Sequence, residues 1–203
     1  MIVFEGIDCI GKTTAINFVK DRLIESGRNV VILNDWTSDY SLKEKFLKQT
    51  STESQIEVIL EARNRTKQIL SEIPKDTIVL YDRYVLSTIV YQVLKWNSER
   101  SSKPKFNPEL LKKILDSSIP YKLVYICPTE DFNRDKFLNK RSKKDKYDKL
   151  NPFWNLKSYW YIMTYPDLLN IKLPEYYIVR NNGTSKFFED LEDLSKSINT
   201  SIN

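Results

Sequence analysis

Gly6, Gly11, Lys12 and Thr13 stand in the spacing G-x-x-x-x-G-K-[ST], directly after the apolar run Ile2–Phe4. Glycines at those two places let the backbone turn tightly and aim successive N–H groups at an anion. A lysine there brings positive charge to the β- and γ-phosphates of a nucleotide, and the threonine hydroxyl can ligate Mg²⁺. A helix starting near Lys12 adds the positive end of its dipole. An ordinary glycine turn is the competing reading. Against it, the chain has four glycines in all and two fall here, between a strand-like run and a helical pattern. A second group follows another apolar run: Tyr81-Asp82-Arg83-Tyr84. An aspartate at the carboxyl end of a strand beside a phosphate loop can serve Mg²⁺ or its waters, and the adjacent arginine can fork onto a phosphate. Without the phosphate loop, a surface ion pair would be the better reading.

What the chain lacks is as informative. It contains no histidine, which excludes Ser-His-Asp and Cys-His nucleophilic systems, His-ligated zinc and the zinc deaminases. Carboxylates, Lys, Arg, hydroxyls, backbone amides and a hard cation remain, and phosphoryl transfer is built from that set. The two cysteines, Cys9 and Cys127, lie far apart in sequence and suit a reducing cytoplasm better than a disulfide scaffold. A net charge of +5 is compatible with an anionic ligand but also with many soluble proteins. No apolar run approaches the ~18 residues needed to cross a bilayer, and the expected strand at Ile2 leaves no room for a leader.

These groups need strands to hold them and helices to cover the strands. Buried strands are expected at Ile2–Glu5, Asn29–Leu33, Thr77–Tyr81, Lys122–Cys127 and Tyr176–Arg180. Helices are expected at Thr13–Glu25, Leu42–Gln49, Glu53–Ile73, about Val85–Lys95, Pro108–Leu115 and about Ser185–Ile198, and a packed aromatic helix around Trp154–Tyr165. Asn97–Lys105 reads as a surface loop. The alternation implies an α/β fold, with a mostly parallel five-stranded sheet covered by helices on both faces. With no repeats or low-complexity linkers, residues 1–203 read as one domain. Ligands of such folds gather at the carboxyl ends of the strands.

Two segments together resemble the signatures of the thymidylate kinase family: F-E-G-I-D-x-x-G-K-T-T at Phe4–Thr14 and D-R-Y-x-x-S-x-x-x-Y-Q at Asp82–Gln92. The basic run at about 140–150, from Lys140-Arg-Ser-Lys-Lys through Asp148, is similar to that family's short lid. The resemblance implies a fold of the P-loop nucleotide kinase type and ATP-dependent transfer of a phosphoryl group to dTMP by a homodimer, with Mg²⁺ arriving with ATP; a cytoplasmic protein with no membrane or nucleic-acid partner is expected. It implies that Gly6, Asp8, Cys9, Ile10, Gly11, Lys12, Thr13 and Thr14 surround ATP, with Thr13 and Asp82 serving the metal. Asp8 would face the acceptor's sugar hydroxyl, and Arg83 would hold phosphate between donor and acceptor. Ser87, Tyr91 and Gln92 would lie along the acceptor nucleoside, the Tyr91 ring crowding a ribose 2′-hydroxyl.

Several positions depart from the pattern. Some members of the family carry an arginine inside the phosphate loop, where this chain has Cys9-Ile10. Arg141 in the basic run is then the natural supplier of the missing cation, with Lys143 and Lys144 as substitutes. The segment after the second strand, Asn34-Asp-Trp-Thr-Ser-Asp-Tyr40, has neither the arginine nor the proline expected of an acceptor-phosphate clamp, though Asp35 could still fill the acidic role there, or serve as the base of a nucleoside kinase. Either Arg63 or Arg65 could meet the base, but one turn earlier stand Ile59 and Glu61, not an aromatic; Glu61 and Arg65 would otherwise form a surface i,i+4 pair. The alternatives are a kinase for another or modified deoxynucleotide or for a deoxynucleoside, and a non-catalytic P-loop nucleotide-binding module.

Overall fold

The computed structural model describes residues 1–93, 107–129 and 152–201, with the side chains of 152–154 excepted. The loop expected at Asn97–Lys105, the helix end near Lys95, and the basic run with Arg141, Lys143 and Lys144 lie outside the described residues. Strands β1 (Ile2–Glu5), β2 (Val30–Leu33), β3 (Ile78–Asp82), β4 (Lys122–Pro128) and β5 (Tyr176–Asn181) form one sheet in the order β2-β3-β1-β4-β5. Every neighbouring pair is parallel. All of β1 is buried, as a strand covered on both faces must be, which is why Ile2-Val-Phe is a continuous apolar run rather than an alternating one.

β1 is central because the chain builds one side of the sheet with β2 and β3, then switches to the other with β4 and β5. The register Phe4↔Asp82 and Phe4↔Val124 brings three strand ends to one edge, where a crevice opens. Helix α1 (Lys12–Glu25) buries Ala15, Ile16, Val19 and Leu23 and stops at Gly27, whose φ is 79°. Helices α2 (Tyr40–Lys48) and α3 (Thr52–Glu72) start on side-chain caps: Asp39 accepts from Ser41 N at 2.8 Å and Ser51 from Ser54 N at 3.1 Å. They enclose a small cluster of Leu42, Phe46, Val58, Ile59 and Ala62 beside the main core. Trp36 packs there against Phe46, so it serves this cluster.

One expected helix takes another form. After β3 the chain runs through α4 (Val85–Thr88) directly into a π-helical turn, Ile89–Val93. The Tyr84 carbonyl at its start accepts from Arg63 Nη2 at 2.9 Å as well as from Thr88 Oγ1 at 3.2 Å. The Thr88 N–H reaches the same carbonyl at 3.2 Å, so the α-helical bond is kept there and the π form starts one turn later. Farther along come α5 (Pro108–Asp116), α6 (Pro152–Thr164) and α7 (Ser185–Thr200). α6 packs as the aromatic stretch suggests, with Tyr159 wholly buried and stacked on Tyr125 at 5.6 Å between ring centroids.

Candidate active site

Two glycines shape the loop between β1 and α1. Gly6 has φ 147°, and a Cβ there would lie 2.4 Å from the carbonyl oxygen of Ile126. Gly11 has φ 96°, and its Cβ would meet Asn181 Nδ2 at 2.7 Å. Cys9 between them is left-handed as well, at φ 63°. Asn181, at the end of β5, fastens the loop by donating to the Ile10 carbonyl at 2.6 Å while its Oδ1 accepts from Gly183 N at 2.8 Å. α1 then begins without a side-chain cap or an acidic residue in its first turn. Gly11 thus offers its leading N–H groups no cap of its own, and a helix start of this kind suits an anion.

A cleft of about 270 Å³ opens over this loop, walled by Asp8, Cys9 and Gly11 to Thr14 on one side and by Asp82 and Arg83 on the other. Lys12 is buried and donates to the carbonyls of Gly6 at 3.0 Å and Ile7 at 2.8 Å. Burial, and then the nearby Arg83 cation, bring its pKa down to about 7, against the pull of Asp8, Asp82 and Glu5. Asp82 presents a buried Oδ1 that has no hydrogen-bond partner among the described residues.

Arg83 is the hub of the far wall. Its backbone is left-handed at φ 66°, rare for a long side chain and a mark of local constraint. Nη2 donates to Asp8 Oδ1 at 2.5 Å and Nη1 to Ser87 Oγ at 3.1 Å, and the guanidinium lies 5.2 Å from the centre of the Tyr91 ring. Tyr91 in turn donates to Asp8 Oδ2 at 3.0 Å. Burial opposes the Arg83 charge, but Tyr91, Asp8, Tyr159 and Asp82 outweigh it and raise its pKa well above the ordinary value. The tyrosine hydroxyl is likewise raised, first by burial, and stays a neutral donor.

A glycine loop at the amino end of a helix, a lysine reaching back into it, and an arginine facing both across a cleft are what nucleotide phosphates require. Comparison with known proteins agrees. The thymidylate kinase family model matches residues 4–161. This chain belongs to the thymidylate kinase family. A thymidylate kinase of Leptospira interrogans is 30% identical over 167 residues, covering 77% of this chain and 78% of that protein. One from Mycoplasmopsis agalactiae is 25% identical across 97% of this chain and 93% of its own length. The solved thymidylate kinase of Ehrlichia chaffeensis shares the fold, with a TM-score of 0.60 over 98% of this chain and 97% of that one at 18% identity.

The sequence motifs of the family thus meet in space at Asp8, Lys12, Asp82, Arg83 and Tyr91, while other expected residues are engaged elsewhere. Ser87 is buried and gives its hydroxyl proton to Glu5 Oε2 at 2.5 Å, and Gln92 is buried with an Oε1 that has no partner among the described residues. Ile10 is wholly buried, so its backbone, not its side chain, serves the loop. Arg63 is 1% exposed and forks onto Asp35 at 3.2 and 3.4 Å, with Tyr81 donating to the same carboxylate at 2.8 Å. Arg65 stays half-exposed on α3, paired with Asp39 and, at 2.9 Å, with Glu61, which also takes Lys45 at 2.7 Å. Sequence reasoning missed Glu5 and Tyr159, whose carboxylate and hydroxyl meet at 3.0 Å behind Ser87. A carboxylate ending an otherwise apolar strand was the available signal. It also missed Asn181, for which no signal stood out.

Proposed function

We propose that this chain transfers the γ-phosphoryl group of ATP to dTMP, giving ADP and dTDP, and acts as a cytoplasmic homodimer. The observation that carries the reading is Arg83, held by Asp8 and Ser87 at the cleft wall opposite the Lys12 loop. The loop amides and the Lys12 ammonium take the β- and γ-phosphates of ATP, Lys12 exchanging its contacts to Gly6 and Ile7 for phosphate oxygens. An acceptor phosphate oxygen forms the new bond to the γ-phosphorus as the bond to the ADP oxygen breaks. Arg83 stabilises the charge shared between them. Asp8 and Tyr91 take the acceptor sugar, whose 2′-position faces the tyrosine ring.

Thr13 and Asp82 fit a Mg²⁺ that arrives with the nucleotide, since both offer hard oxygen donors and Asp82 Oδ1 is buried without a partner among the described residues. Bound there, the ion neutralises charge on the phosphates. Among the described residues no helix is long and apolar enough to cross a membrane, which is compatible with the cytoplasmic assignment. Asp35 is committed to Arg63 and Tyr81, which argues against its use as the general base of a nucleoside kinase. A coupled ADP-release assay over nucleosides and nucleoside monophosphates tests the proposal. The expected order is dTMP, then dUMP, with UMP poor, because a missing methyl costs only ~1 kcal/mol whereas an added 2′-hydroxyl clashes. Equal rates with purine monophosphates or with UMP would refute the dTMP assignment, and no turnover of any acceptor would leave a binding module.

A further inference from the structure

We propose that Glu5 is the positioning residue for Arg83: its buried carboxylate, through Ser87 and the turn after β3, fixes the guanidinium at the cleft. The proposal rests on the phosphotransferase reading above and deepens it. Glu5 ends β1, one residue before Gly6, and is 0% exposed. A buried carboxylate is expensive, and an apolar side chain of similar size would pack a strand end at lower cost. Its retention needs a reason beyond packing, and its partners supply one.

Each oxygen takes two donors. Oε1 accepts the backbone N–H of Tyr84 at 2.8 Å and of Ser87 at 3.1 Å. Oε2 accepts the Ser87 hydroxyl at 2.5 Å and the Tyr159 hydroxyl at 3.0 Å. Tyr84 is the residue immediately after Arg83, so the first bond holds the peptide that leaves the left-handed Arg83 backbone, while Arg83 N is held by the Phe4 carbonyl at 3.0 Å. The Ser87 bond acts on the side chain. With its proton committed to Glu5, the hydroxyl turns a lone pair to Arg83 Nη1, 3.1 Å away. Glu5 thus sets both the backbone and the fork of Arg83 without facing the cleft, and Tyr159 ties α6 into the same carboxylate.

Glu5→Gln is the informative variant because it preserves shape. Its carbonyl oxygen must stay with the two backbone N–H groups, so its NH₂ faces Ser87 and Tyr159 and the Ser87 bond reverses direction. The expected result is a kcat about ten- to a hundredfold lower, with KM for ATP within about twofold and melting shifted by a few degrees at most. In an Arg83→Lys background the same change should cost less than about threefold, because its effect runs through the guanidinium fork. The Arg83 Nε–H resonance, assigned by its loss in Arg83→Lys, should move in Glu5→Gln protein. An equal loss of kcat in both backgrounds, or an unmoved Arg83 resonance, overturns the proposal. Wild-type protein that transfers phosphate to no acceptor would instead overturn the phosphotransferase reading, and the resonance would still judge the positioning role.

Discussion

Binding a nucleotide to this protein should draw a proton from solution at mildly alkaline pH, and Lys12 is the reason. Burial first, and then the Arg83 cation, lower its pKa from 10.5 to about 7 in the free protein. At pH 8 only about a tenth of the molecules then carry the ammonium. Phosphates arriving beside it favour the charged form and return the pKa toward its ordinary value. The uptake on binding is therefore about 0.9 proton at pH 8 but about 0.1 at pH 6, where the amine is already charged. The same linkage makes ADP bind about fiftyfold more weakly at pH 9 than at pH 7, or about 2.3 kcal/mol. Calorimetric titrations with ADP in two buffers of different ionisation enthalpy measure the uptake directly, with Lys12→Met as the control. Identical enthalpies in both buffers at pH 8, or a buffer dependence that survives in Lys12→Met, would refute this account of Lys12.

The free protein should also melt at higher temperature as pH rises from 7 toward 9.5. The unfolded chain holds the Lys12 proton that the folded one has lost, so stability grows through this window, and the gain vanishes below about pH 7 where both states hold the proton; a melting series that is flat, or equally steep in Lys12→Met, would count against it. Arg63→Met should destabilise the fold by about 3–5 kcal/mol in urea unfolding, since it strands an Asp35 whose side chain is 13% exposed; an unchanged midpoint would mean the pair is not structural. Arg141→Ala should lower kcat far more than it raises KM for either nucleotide, by ~10³-fold if the contact is made in the transition state alone; a kcat within about threefold of wild type would send the search for the cation elsewhere.

The parts of this site that rest on local sequence were legible. Gly6, Gly11 and Lys12 are recognisable because backbone geometry and phosphate charge allow few other residues at that spacing. β1 and β3 are recognisable because strands buried on both faces must be apolar throughout. The Glu61–Arg65 pair likewise follows from helical spacing, and the structure forms it at 2.9 Å. Arg63 was not legible in the same way. Its carboxylate partner stands 28 residues away and its other contacts, at Tyr84 and Thr88, more than 20. The π turn at Ile89–Val93 had no signal in the local pattern, which reads as plain helix. Glu5 is illegible for a related reason: one acidic residue at a strand end reads as an edge until the donors from the β3 turn and α6 are seen to converge on it.

These placements bear on how two anionic substrates can share one small cleft. Opposite charges follow one another from behind the wall to the cleft: the buried Glu5 is tied through Ser87 to Arg83, and Arg83 to Asp8, whose second oxygen takes the neutral Tyr91 hydroxyl. Arg83 is thereby fixed before any substrate enters, and a guanidinium has more donors than Ser87 and Asp8 engage, so it can take a phosphate without surrendering its anchors. Lys12 behaves oppositely. Buried, and facing the Arg83 cation, it loses charge near neutral pH, and it regains that charge when phosphates arrive. One cation is thus preorganised and the other is called up by the donor nucleotide. Such a division limits the repulsion between Lys12 and Arg83 in the free protein, and it supplies the second positive charge when the transferring phosphoryl group is there to need it.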